Sequence, residues 1–221
     1  MIITIDGPAG SGKSTVAGAL AEKLGFIHFN SGSLYRGITA FLVDQNFNIE
    51  SMTINSPIPE INIHVEMIDD VQHVFVNNVD YTPVLRQNLI STLVAFVAAN
   101  KNCREKIDTC QKAFCSKNNV VMEGRDLGSF VFPNAEFKFY LDCSIEERAR
   151  RRFKEEQAKN SNETLDEIYK QIAERDYLDK TREIAPLVCP NDAIIIDSSN
   201  LSIEEVVNLM RSNIENKNCI Y

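Results

Sequence analysis

Gly7-Pro8-Ala9-Gly10-Ser11-Gly12-Lys13-Ser14 is the stretch on which the fold turns, because it satisfies G-x-x-x-x-G-K-[ST] at every specified position. Met1-Ile2-Ile3-Thr4-Ile5, just before it, is a β-branched run that reads as a buried strand. Lys13 to Leu24, just after it, carries a helical pattern. The glycines let the backbone wrap a phosphate and aim several N–H groups at it, and the helix opening at Lys13 adds the positive end of its dipole. Gly7, Pro8, Ala9, Gly10, Ser11, Gly12, Lys13, Ser14 and Thr15 are therefore the candidate residues for binding a nucleoside triphosphate. Lys13 is expected to reach the β- and γ-phosphates, and the Ser14 hydroxyl to ligate Mg²⁺. The bland alternative is an ordinary glycine turn between strand and helix, which motif and context together disfavour.

Further along the chain, strand-like and helix-like stretches alternate. Ile27 to Phe29 reads as a short strand and Leu34 to Gln45 as a helix. Ile61 to Val65 and His73 to Val76 alternate around Asp69-Asp70, as in an antiparallel hairpin, and interrupt the rhythm over about residues 55–85. Leu85 to Phe114 is helical, with a break expected near Asn100. Val120 to Met122, Phe137 to Leu141 and Ala193 to Asp197 resume the strand pattern, the last read as a central strand. Ser144-x-x-Glu147, Thr164-x-x-Glu167 and Ser202-x-x-Glu205 each match a capping box. The expected fold is α/β, a parallel sheet with helices on both faces and a small antiparallel insertion.

Composition narrows the function classes. The chain has 221 residues, 44% of them hydrophobic, enough for a single domain with an ordinary core. Its formal net charge of −8 argues against a general nucleic-acid binder. Six scattered cysteines without a C-x-x-C pair read as reduced thiols in the cytoplasm. The three histidines show no metal-ligand spacing, and no apolar run is long enough to span a membrane. Arginines nevertheless cluster at Glu147-Arg148-Ala149-Arg150-Arg151-Arg152, which suits a small anionic ligand. An Asn-Lys-x-Asp guanine-reading motif is absent, which disfavours a GTPase.

Four further segments stand in order: Asn30-Ser31-Gly32-Ser33-Leu34-Tyr35-Arg36, then Glu123-Gly124-Arg125-Asp126-Leu127-Gly128-Ser129-Phe130-Val131-Phe132-Pro133, then the arginine helix, then Glu174-Arg175-Asp176 through Thr181-Arg182-Glu183-Ile184-Ala185-Pro186. In order and spacing they resemble the bacterial cytidylate kinases, a family of ATP-dependent phosphotransferases acting on CMP and dCMP. The resemblance spans almost the whole chain. It implies a core (about 1–30, 115–147 and 183–221), an acceptor-binding lobe (about 31–114) and a lid region (about 148–182). It further implies Mg²⁺ with ATP as co-substrate, and a monomer with no nucleic-acid or membrane partner.

The residues make chemical sense beside that resemblance. An acceptor monophosphate is a dianion, and planar guanidinium groups grip it in bidentate fashion. Arg36, Arg125 and Arg182 match the family's clamp. Arg175, Asp179 and Arg182 fall at i, i+4 and i+7, on one helical face; the pattern alone favours a solvated charge ladder. The resemblance favours the other reading, with Asp179 on the ribose and the two arginines on phosphate. Arg148 and Arg152 of the lid helix are assigned to ATP and to the transferring phosphoryl group, an exposed charged helix being the alternative. The polar stretch Gln157 to Asn162 behind them suits a turn that closes over the nucleotide.

Cytosine recognition falls by resemblance to Asp126 and Arg104. Ser31 is either a ligand contact near phosphate or base, or a helix N-cap. The implied catalytic set is Lys13, Arg125 and Arg152. This sequence departs from the family at Ala95, where a base-contacting serine is usual, and at Glu123, where an aspartate is usual. Ser91, one turn before Ala95, carries a hydroxyl on the same face. The rival readings are another small kinase of the same loop type, acting on UMP, AMP, shikimate or dephospho-coenzyme A, and a nucleotide-binding module without turnover.

Overall fold

A computed structural model describes residues 1–158 and 163–218 of the chain. The polar turn expected over 157–162 therefore falls mostly outside the described residues. The elements are β1 (Ile2–Asp6), α1 (Lys13–Leu24), β2 (Ile27–Asn30), α2 (Ser31–Asp44), β3 (Ile63–Ile68), β4 (Val71–Val76), β5 (Val79–Asp80), α3 (Asn88–Ala99), α4 (Lys101–Cys115), β6 (Val120–Glu123), β7 (Phe137–Asp142), α5 (Ile145–Ala158), α6 (Leu165–Thr181), β8 (Ile194–Asp197) and α7 (Ile203–Asn218). A five-stranded sheet runs β2-β6-β1-β7-β8, and a three-stranded one β3-β4-β5. The chain divides into two compact units, residues 1–26 with 121–221 and residues 27–120.

In the larger unit, β1 pairs in parallel with β7 (Ile3 opposite Phe137, Ile5 opposite Phe139), and β7 in parallel with β8. Ile3, Ile5, Phe139 and Leu141 pack with Val16 and Leu20 of α1 and Val207 and Met210 of α7 into one core. Parallel strands need crossovers, and α1 leads from β1 into one of them, while α1 and α7 together cover the sheet. A separate small cluster joins α5 to α6 through Ala149, Ile168, Ile172 and Phe153.

β8 lies at the sheet edge instead of its centre. A short continuous apolar run does not reveal whether both faces are covered. Here only one is: Ile196 is buried while Ile195 is 64% exposed.

Two of the three capping boxes form completely. Thr164 and Glu167 exchange both bonds at the start of α6, and Ser202 and Glu205 do the same before α7. Ser144 accepts from the Glu147 N–H, but Arg150 and Arg151 take the Glu147 carboxylate, so that box is only half made. Charge-assisted bonds to arginine outcompete a backbone N–H for the same oxygens.

In the smaller unit, β3 and β4 form the expected antiparallel hairpin, with Asp69 and Asp70 at φ 50° and 61°. That is the geometry of a two-residue turn whose twist matches its strands. Asn77 and Asn78 (φ 49° and 64°) repeat the device and add β5, a strand that periodicity did not foretell. The break near Asn100 is real. Its side chain accepts from the Cys103 N–H to cap α4 and donates to the Thr53 and Ser56 carbonyls.

Gly37 on α2 meets β4 so closely that a Cβ there would stand 2.6 Å from Val74 Cγ1. Alanine is the better helix former by about 1 kcal/mol, but overpacking at a buried contact costs about 1–3 kcal/mol. Gly37→Ala should therefore lower the urea midpoint, and adding Val74→Ala should restore part of the loss. An unchanged or raised midpoint for Gly37→Ala alone would contradict this packing.

Candidate active site

The loop Gly7–Ser14 joins the end of β1 to the start of α1 within the larger unit. Gly7 passes so near β7 that a Cβ would lie 2.2 Å from the Leu141 carbonyl oxygen. Gly12 is the N-cap of α1 at φ 90°, and no side chain caps the helix there. The first N–H groups of α1 are thus presented without a capping side chain, a ready anion site. Lys13 Nζ donates to the Pro8 carbonyl (2.6 Å) and to Ser11 Oγ (3.3 Å). Burial pushes Lys13 well below its usual 10.5, and the Arg125 guanidinium adds to that shift, against Glu123, Asp6 and Asp179. Ser14 Oγ donates to Glu123 Oε2 at 2.7 Å, so the end of β6 meets the first turn of α1.

Arg148 is buried and faces the loop from behind. It donates to the Ala9 and Cys143 carbonyls (both 2.9 Å) and pairs with Asp176 at 2.7 Å. The Ala9 N–H in turn donates to Asp176 Oδ1 at 3.1 Å. Arg148 and Asp176 together clasp both polar groups of one loop residue. Arg148 thus contacts the loop's backbone, where the sequence reading placed it on ATP. Arg151 reaches the Ser198 carbonyl (2.7 Å), and Nη1 lies 3.9 Å from where a Cβ on Gly12 would sit. Arg152 is half-exposed and pairs with Glu156 at 3.0 Å and Glu155 at 3.9 Å along its own helix.

Five of the proposed acceptor residues converge in this unit. Asp179 Oδ2 accepts from Arg125 Nε (3.0 Å) and Arg175 Nε (3.2 Å), and its other oxygen lies 4.0 Å from Arg182 Nη1. Arg182 Nη2 donates to Asp126 Oδ1 at 2.8 Å. Arg182 stands one residue beyond α6, as its C-cap, so it does not continue the helical face of Arg175 and Asp179. The solvated-ladder reading fails as well, because the Asp179 side chain is 3% exposed. Burial would raise the Asp179 pKa, but the Arg125, Arg175 and Arg182 guanidinium groups outweigh it and hold the carboxyl below 3.8. Three guanidinium groups facing two carboxylates leave one positive charge in excess.

The smaller unit carries the remaining candidates. Ser31 is the first residue of α2 and not its cap. Asn30 is the cap, accepting from the Ser33 N–H, while Ser31 Oγ donates to Gln111 Oε1 at 3.0 Å. Arg36 Nη1 donates to the Leu85 carbonyl (3.0 Å) and to Ser91 Oγ (2.7 Å). Arg104, which the sequence alone would place on a helix surface, is buried. It donates to the Ala98 carbonyl and lies 5.5 Å over the Tyr35 ring.

A family model described as cytidylate kinase matches residues 3–216. The chain belongs to the cytidylate kinase family. Proteins named cytidylate kinase are 43% identical over 216 residues in Listeria innocua (97% of this chain, 96% of that protein) and 41% identical over 219 residues in Carboxydothermus hydrogenoformans (99% of each). Among solved structures, the shikimate kinase of Bacteroides thetaiotaomicron superposes with a TM-score of 0.50 at 15% identity, covering 97% of this chain and 98% of that one. At that identity the likeness speaks for the fold alone. An uncharacterised protein from Eubacterium ventriosum aligns similarly, with a TM-score of 0.53 at 13% identity over 97% of this chain and 98% of that one.

Two site residues of this cytidylate kinase family member escaped the sequence reading. Asp176 stood inside the quoted Glu174-Arg175-Asp176 motif without a role. Asp6 ends the otherwise apolar β1 and accepts from the Leu127 (3.0 Å) and Gly128 (2.7 Å) N–H groups. It thereby anchors the π-helical turn Leu127–Val131, which directly follows Arg125 and Asp126. An acidic residue closing a buried strand was the available signal, since such a group needs partners.

Burial raises Asp6 to about 6, against the two backbone hydrogen bonds. Between pH 4 and 6 the folded chain keeps a proton that the unfolded chain has released. The stability contributed by this proton is complete below pH 3.8 and is lost as pH rises through 6. Asp6→Asn cannot titrate. Urea unfolding from pH 4 to 7 should therefore show wild type losing up to about 3 kcal/mol relative to Asp6→Asn. A difference that does not vary with pH would refute the shift.

Proposed function

We propose that the chain transfers the γ-phosphate of ATP to CMP or dCMP, with the donor held on the loop Gly7–Thr15 and the acceptor phosphate by arginines. The family supplies the reaction class, an ATP-dependent nucleoside monophosphate kinase. One observation carries the residue assignment. Arg125 donates to Asp179 at 3.0 Å on the same helix whose Asp176 accepts from the Ala9 N–H at 3.1 Å, which supports an arginine-lined anion site beside the triphosphate loop. A nucleotide sensor needs only the loop.

Arg125 and Arg182 are assigned to the acceptor phosphate together with Arg36. Asp126 and Arg104 are assigned to the cytosine edge, where a carboxylate accepts from the amino group and a guanidinium donates to the ring acceptors. Ser31 is placed near the acceptor. Asp179 accepts from the Arg125 and Arg175 guanidinium groups and so aims them; its assignment to the ribose requires one of these bonds to yield. Arg175 supplies charge to the same cluster. Arg152, exposed on α5, is assigned to the transferring phosphoryl group.

Kinases of this class use a divalent metal, and the finer assignment is Mg²⁺. Ser14 Oγ and Glu123 Oε2 are hard oxygen donors 2.7 Å apart, a fit for such an ion and its bound water. When bound it would neutralise charge on the β- and γ-phosphates. The attacking phosphate oxygen is already anionic at neutral pH, so no general base is needed. What remains for the protein is positioning and charge neutralisation. Burial disfavours the ammonium form of Lys13, and an adjacent polyphosphate would favour it. Scattered cysteines without a C-x-x-C pair support a cytoplasmic location.

An ADP-release assay across CMP, dCMP, UMP, AMP and shikimate tests the substrate claim. Cytidine nucleotides should give the highest kcat/KM, and preference for any other acceptor would reject it. Lys13→Met should lower kcat by about 10³-fold while leaving the unfolding midpoint within about 1 kcal/mol of wild type. Turnover near the wild-type rate would remove Lys13 from the mechanism.

A further inference from the structure

A hydroxyl on α3 touches one of the acceptor arginines, although the family's usual base-contacting serine is replaced by Ala95. Ser91 Oγ lies 2.7 Å from Arg36 Nη1, which also donates to the Leu85 carbonyl at 3.0 Å. Ser91 and Leu85 thus fix one nitrogen of the guanidinium from two directions. Both contacts lie within the smaller unit, so they do not depend on where an acceptor sits.

A planar guanidinium on a flexible stem is useful for bidentate recognition only once its plane is set. A hydroxyl is suited to that task. It accepts one N–H without adding a negative charge that would compete with the ligand phosphate. A carboxylate at the same place would bind Arg36 more strongly but would cancel the charge the acceptor needs.

We propose that Ser91 is a positioning residue for the acceptor monophosphate, holding Arg36 in the orientation that grips the phosphate, and is not a substitute for the missing base-contacting hydroxyl. The inference rests on the assignment of Arg36 to the acceptor phosphate made above. Because the phosphate is common to all nucleoside monophosphates, Ser91 acts on acceptor affinity without regard to the base. Selection between cytosine and uracil is left to residues other than Ser91.

The test is steady-state kinetics of the full-length enzyme with CMP, dCMP, UMP and ATP each varied, for Ser91→Ala, Ser91→Thr, Arg36→Ala and the Ser91→Ala/Arg36→Ala pair. Alanine is the better helix former, so the α3 site tolerates Ser91→Ala. Ser91→Ala should raise the KM for all three acceptors by about fivefold to tenfold, in line with the net contribution of one ordinary hydrogen bond. The KM for ATP and the CMP:UMP ratio of kcat/KM should stay within twofold of wild type.

Ser91→Thr, which keeps the hydroxyl, should recover most of the acceptor KM. The double variant should be no worse than Arg36→Ala alone, because the serine acts only through the arginine. A Ser91→Ala effect that changes the CMP:UMP ratio, or that persists undiminished on top of Arg36→Ala, would overturn the proposal in favour of direct base contact. An unchanged acceptor KM in Ser91→Ala alongside a large effect of Arg36→Ala would overturn it while leaving the Arg36 assignment standing. If Arg36→Ala itself spares the acceptor KM, the assignment of Arg36 fails first and the proposal falls with it.

Discussion

Guanidinium groups repel one another, and Arg125, Arg175 and Arg182 can share a largely buried space only around an anion. Asp179 is that anion, 3% exposed and within 4.0 Å of all three. Breaking such a cluster by removing the carboxylate would leave uncompensated buried charge, a far larger loss than any exposed ion pair represents. The rest of the site follows from where Asp179 is held. It sits near the end of α6, whose other end is fixed by the Thr164–Glu167 capping box and whose apolar side packs on α5. Its main-chain carbonyl accepts from the Leu187 N–H, which folds the segment after α6 back over it. Ala185 takes φ 47° in that return, an unfavoured conformation for a residue with a Cβ, and offers its carbonyl to Arg182 Nε.

The same helix also controls the phosphate loop. Asp176 precedes Asp179 by three residues, so both project from one face of α6. One carboxylate organises the arginines of the proposed acceptor site, and the other holds Ala9 with the help of Arg148. A shift of α6 along its axis would therefore move the loop's backing and the arginine cluster together. This links α6 mechanically to the loop Gly7–Ser14 through Asp176. It also accounts for an arginine buried behind a loop that has its own cationic lysine. Arg148 satisfies backbone carbonyls and a carboxylate, and so shapes the loop where a phosphate contact would have been the simpler expectation.

Legibility in the sequence followed the range of the interaction. The loop motif, the strand before it and the helix after it are contiguous, and the structure reproduces them. The hairpin at Asp69-Asp70 and the break at Asn100 were equally local, since turn and cap chemistry is written in adjacent residues. The Arg175–Asp179 pair was visible as an i, i+4 spacing, but not its burial, nor Arg125 arriving from 54 residues away. The burial of Arg104 and the place of Ser31 inside α2 were hidden for the same reason: Tyr35, Ala98 and Gln111, which fix their surroundings, are not adjacent to them in sequence. The edge position of β8 was hidden because an unbroken apolar run carries no period from which its faces could be told apart.

Glu123 shows how a departure from the family's pattern can be absorbed by geometry. It ends β6, and Ser14 is the second residue of α1, so the two are brought together by the packing of strand and helix with no freedom in their sequence spacing. Within that fixed frame the carboxylate reaches Ser14 Oγ at 2.7 Å. An aspartate, one methylene shorter, would reach less far from the same backbone position. The longer side chain thus makes the pairing with Ser14 a direct hydrogen bond. The departure at position 123 is therefore one of reach, and the packing of β6 against α1 is what meets it at Ser14.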